Sequence, residues 1–88
     1  MQFLKEHLNP GNYEWDSQLI YIGEPTRRLY NRHNGNQLLF IINHFAETTN
    51  TFDTKKGVLI QDMLDHELPI DAKSEISVLK WLNEKAIA

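Results

Sequence analysis

The chain contains no cysteine, which removes disulfides, thiolate nucleophiles and cysteine-ligated zinc from its chemistry. Small secreted domains are commonly stapled by disulfides, so this absence points to the cytoplasm. Long apolar runs are missing as well. The longest, Leu38 to Ile42, falls far short of the roughly 20 residues that cross a bilayer. The opening residues, Met1 to Leu8, carry charge and do not read as a secretory signal. Glycine is sparse and scattered at 11, 23, 35 and 57, so neither a Walker loop nor a dinucleotide-binding fingerprint is present. The serines, Ser17, Ser74 and Ser77, form no nucleophile elbow and none adjoins a histidine. The expectation is a non-enzymatic protein without a cofactor.

Arginine is scarce and concentrated. All three arginines fall in Thr26-Arg27-Arg28-Leu29-Tyr30-Asn31-Arg32-His33-Asn34-Gly35-Asn36, while the other 77 residues hold six lysines and twelve carboxylates. A guanidinium is a planar fork of donors suited to phosphate, carboxylate and aromatic faces. The segment is therefore the candidate contact surface, with Arg27, Arg28, Tyr30, Arg32, His33 and Asn36 as its partner- or anion-binding residues. On nucleic acid the arginines would neutralise phosphates while Tyr30 or His33 stacks on a base. If Asn36 begins a helix, the N–H groups of Gln37 to Leu39 add an anion site beside them. The competing reading pairs the arginines with the chain's own carboxylates, such as Glu24 or the Asp62, Asp65 and Glu67 group. A net charge of −3 argues against broad attachment to DNA or an anionic membrane.

Eighty-eight residues make a single domain, residues 1–88. Apolar residues at 41% and charged residues at 24% exclude a disordered composition. Phe3, Leu4 and Leu8 have helical spacing, and Asn9-Pro10-Gly11-Asn12 ends that turn. Gln18 to Ile22 is rich in β formers and is followed by the turn residues Gly23 to Thr26. A returning strand, Arg27 to Asn31, then completes a hairpin with Leu29 on one face and Arg28, Tyr30 and Arg32 on the other. The alternative makes 25–33 a short helix opened by Pro25 and closed at Asn34-Gly35.

The remainder reads as three helices. Asn36 caps Gln37 to Thr49, with Leu38, Ile41, Ile42 and Phe45 on one face. Asp53 or Thr54 caps a second helix ending near Glu67, with Leu59, Ile60, Met63 and Leu64 inward. Asp71 caps a third from Ala72 to Lys85, with Ile76, Leu79, Leu82 and Ala86 inward. Phe40, Val58 and Trp81 stand off these stripes. They either cover the N-terminal elements or, for Phe40 and Trp81, form an interface with a partner.

For metals, Asp62 and His66 at i, i+4 and His44 and Glu47 at i, i+3 are the available pairs. The expectation is a solvated ion pair and no metal site. The fold class that follows is α+β and mainly helical, a small N-terminal β-hairpin packed on three C-terminal helices, with an all-α bundle as the alternative. The expected function is interaction or regulation. A protein partner or self-association is preferred, and weak nucleic-acid binding is the alternative.

Overall fold

Three helices and a 3-10 turn supply the regular structure, in a computed structural model that describes residues 3–11, 13–16, 18, 21, 23–47 and 53–86. The 3-10 turn, Lys5–His7, is followed by a long irregular stretch. Then come α1 (Gly35–Glu47), α2 (Thr54–His66) and α3 (Glu75–Ala86). Helix α1 is central and packs against both α2 and α3, while the 3-10 turn sits on α2. No helix among the described residues is long and apolar enough to cross a membrane.

No hairpin forms among the described residues. The described residues contain no β-strand, only two isolated bridges, Glu14 with Asn34 and Leu29 with Ser74, so the architecture is an all-α bundle and not α+β. Leu19, Ile20 and Ile22, which carried the first-strand reading, lie outside the described residues. Residues 25–33 form neither strand nor helix. Their facing is also inverted: Leu29 is 72% exposed, whereas Tyr30 packs half-buried against the core.

The physical reason lies in where the backbone of the irregular stretch finds its partners. A carboxamide presents an acceptor and a donor side by side, as a neighbouring strand does. Asn43 on α1 accepts from Phe3 N at 2.7 Å and donates to Phe3 O at 2.9 Å. Gln61 on α2 accepts from Asn9 N at 2.9 Å and donates to Asn9 O at 3.0 Å. Asn36 grips Asp16 in the same way at 2.9 and 3.0 Å. Gln37 accepts from Asn31 N at 2.7 Å and donates to Leu29 O at 2.9 Å. Gln37 thus stands where a partner of the returning strand would, and the other three hold the chain before the expected hairpin.

Helix α1 buries Leu38, Ile41, Ile42 and Phe45 completely, as the spacing requires. Its cap is Asn34 and not Asn36: the Asn34 side chain accepts from Gln37 N at 3.1 Å and its carbonyl from Leu38 N at 3.0 Å. Asp53 caps α2 by accepting from Lys56 N at 2.8 Å, and Ile60, Met63 and Leu64 face inward. Leu59, expected inward, is 54% exposed. Helix α3 departs furthest. It begins at Glu75, and its fully buried residues are Glu75, Val78 and Leu82. Ile76 is 47% exposed and Leu79 only partly buried, while the Ala86 side chain lies outside the description. Drawing Glu75 inward sets the wheel, because positions i+3 and i+7 from it are Val78 and Leu82.

Two glycines allow close approach. A Cβ on Gly57 would fall inside the ring of Phe3, and one on Gly35 would overlap the indole of Trp15. The irregular stretch is therefore seated on the helices by aromatic rings as well as by carboxamides.

Candidate functional site

The arginine segment runs from the start of α3 to the end of α2, and its residues face different partners. Thr26 O accepts from Ile76 N at 3.2 Å, Arg28 O from Glu75 N at 3.0 Å, and Tyr30 N donates to Lys73 O at 2.7 Å. This docks residues 26–30 on the first turn of α3. Arg28 donates from Nε and Nη2 to the Glu75 carboxylate at 2.8 and 3.0 Å. Thr26 N and Gln37 Nε2 donate to the same carboxylate at 3.0 and 2.7 Å. The guanidinium also lies 4.6 Å from the ring centre of Tyr21 and 5.9 Å from that of Phe40. Burial alone would raise the pKa of Glu75. The bonds from Arg28, Gln37 and Thr26 outweigh it and hold the carboxyl below its ordinary range. Arg28 thus pairs with a carboxylate of the chain, though with Glu75 and not with the residues considered from sequence.

Arg27 is exposed. Arg32 donates from Nη2 to Leu68 O at 2.9 Å, just beyond α2. His33 is exposed, its backbone N–H donating to Asn31 Oδ1 at 2.9 Å. Asn36 holds Asp16, and the helix-start N–H groups of Gln37 and Leu38, expected to serve an anion, are taken by Asn34. Phe40 is half-buried and stacked by Tyr21 at 5.6 Å between ring centres. Trp81 is half-buried against the core.

Arg32 and His33 are the two sequence-named residues that the fold brings into one cavity. It is an open cleft of about 240 Å³, completed by Tyr13, Asp65 and His66. The Tyr13 hydroxyl donates to Asp65 Oδ2 at 2.5 Å and accepts from Gln61 Nε2 at 2.9 Å. Burial first, then the bond to Asp65, pushes the Tyr13 phenol up to about 12, so it is a neutral donor at physiological pH. Tyr30 is raised too, by burial and then by the field of Asp65. His66 Nε2 stands 3.5 Å from Asp62 Oδ1, a solvent-exposed contact at i, i+4. Among the described residues no three histidines or carboxylates come together as a metal-holding group.

The cleft brings the donor side chains of Arg32, His33 and His66 together with the Asp65 carboxylate, which accepts from Tyr13. Sequence spacing carried no signal for the joining of Tyr13 to residues 32–33 and 65–66. Gln37, Asn43, Gln61 and Glu75 had one unused signal, a polar side chain interrupting or adjoining an apolar helix face. Compared with known proteins, the chain matches no family, no curated protein and no solved structure.

Proposed function

We propose that this is a cytoplasmic, non-enzymatic accessory protein that binds single-stranded nucleic acid weakly through the Arg32, His33 and His66 cleft. The observation that carries the reading is the meeting of a guanidinium and two imidazoles on one open cavity. Cationic and π-faced side chains in one place suit a phosphate with its attached base. The net charge of −3 and the engagement of Arg28 by Glu75 keep the interaction weak. The test is fluorescence anisotropy of a labelled oligonucleotide titrated with protein at several salt concentrations. The expected log–log salt slope is about −1 to −2, for two phosphate contacts on a single strand. His33→Ala combined with His66→Ala should weaken binding at least about fivefold without changing the circular dichroism, since both residues are exposed. A slope near zero, or binding indifferent to the double substitution, sinks the reading.

A second reading, contact with another protein, is favoured by a different observation. Leu29, bridged to Ser74 just before α3, and Ile70, in the loop that leads to α3, are large aliphatic residues exposed at 72% and 87%. The aromatic anchors once assigned to such a contact, Phe40 and Trp81, are half-buried and contribute less to it.

A further inference from the structure

The cleft of Tyr13, Arg32, His33, Asp65 and His66 holds one group that a site for phosphate alone does not need, the Asp65 carboxylate. Its Oδ2 accepts from the Tyr13 hydroxyl, which Gln61 Nε2 holds in turn at 2.9 Å. Among the described residues nothing donates to its Oδ1. Arg32 spends Nη2 on Leu68 O, and among the same residues its Nε and Nη1 have no acceptor. Guanidinium and carboxylate line one cleft yet form no ion pair, since the acid–base contacts among the described residues are Arg28–Glu75 and Asp62–His66. The cleft therefore presents an acceptor and a cationic fork that stand apart.

We propose that this cleft reads guanine on a single strand, with Asp65 accepting from the N1–H and N2–H groups and Arg32 donating to O6 and N7. The inference rests on the nucleic-acid reading and adds its base preference. A phosphate offers acceptors only, so a free carboxylate oxygen opposes it. A base with N–H donors turns the same oxygen into a contact, and Oδ1 has two lone pairs for two donors. Among the bases, guanine alone combines two adjacent donor groups with two adjacent acceptors. Arginine on its O6 and N7 is the commonest specific base contact. The unstacked bases of a single strand leave both edges open to side chains. A cleft of about 240 Å³ is smaller than those that enclose drug-sized ligands and suits one base. His33 and His66, both exposed, remain for phosphate and stacking.

Fluorescence anisotropy with oligothymidylates of about eight nucleotides, unsubstituted or carrying one central guanine, adenine or cytosine, tests this. The guanine strand should bind wild type about fivefold tighter than the other three. Asp65→Asn keeps an oxygen for Tyr13 and places an amide nitrogen where Oδ1 stood, so guanine's N–H groups meet a donor. The variant should bring all four strands to within about twofold of one another. Its binding to plain oligothymidylate should hold or strengthen, because a negative charge has left the cleft. Circular dichroism checks that the variant is folded. A wild-type control needs no variant: 1-methylguanine, which lacks the N1 hydrogen, should bind no tighter than adenine. Four strands bound equally by wild type overturn the proposal and leave the nucleic-acid reading standing. So does a guanine preference that survives Asp65→Asn or N1 methylation. Failure of every strand to bind overturns both.

Discussion

Glu75 has no exposed surface, yet its carboxylate is satisfied by four bonds from two side chains and one backbone N–H: Arg28 twice, Gln37 and Thr26. A buried charge persists only with such company. Because those donors hold its pKa below the ordinary 4.5, the charged form belongs to the folded state. Its stabilisation is therefore present above about pH 4.5 and is lost as pH falls through the folded value. Glu75→Gln should lower stability at neutral pH by about 1–3 kcal/mol, the range for hydrogen bonds to charged groups. The variant should also lose less stability than wild type between about pH 5 and pH 3. Urea midpoints across that range decide it. Parallel pH curves for the two proteins would mean that Glu75 is not the group that titrates.

At the scale of elements, the helices hold the irregular stretch through side chains and not through a ladder. Asn36, Gln37, Asn43 and Gln61 each meet both a backbone donor and a backbone acceptor. Among the described residues no buried side-chain nitrogen or oxygen lacks a partner, as a native interior requires. The glycine at 57 belongs to the same arrangement, because Phe3 occupies the space a Cβ would need. Alanine is a better helix former than glycine by about 1 kcal/mol, so Gly57→Ala would stabilise an isolated helix. Here overpacking against a fully buried ring opposes that gain, at about 1–3 kcal/mol. The expected outcome is a net loss, read as a lower melting temperature. A raised one would show that Phe3 moves aside freely.

At the scale of the molecule, the described residues gather a core with α1 at its centre and Phe3, Ile60, Leu64, Val78 and Leu82 drawn in around it. Ile42→Ala should cost about 2–4 kcal/mol, because the residue is fully buried in a core with little room to collapse. Leu59→Ala, on the outer side of α2, should cost far less. Chemical denaturation of both variants checks the assignment, and equal losses would contradict the register of α2.

What the sequence determined by itself was helical content and the core of α1. Leu38, Ile41, Ile42 and Phe45 repeat at the helical period with no competing residue on that face, and burial follows the period. The α2 cap was readable to within one residue, Asp53 or Thr54, since capping is local, and the fold uses Asp53. The β formers before Gly23 argued for a hairpin because propensity speaks to local conformation, whereas a strand also needs a neighbour. For Leu29 and Asn31, on the expected returning strand, tertiary structure supplied another partner, the carboxamide of Gln37. The register of α3 was decided the same way. Its apolar residues fit more than one face, and the Arg28–Glu75 pair, 47 residues apart, chose the face that turned Ile76 outward. Arg32 and His33 were visible as a cationic segment, but only the fold brought Tyr13 and His66 beside them. Local spacing encodes the period of an element. Which face is buried, and which distant side chains share a cavity, depends on contacts that no window of sequence contains.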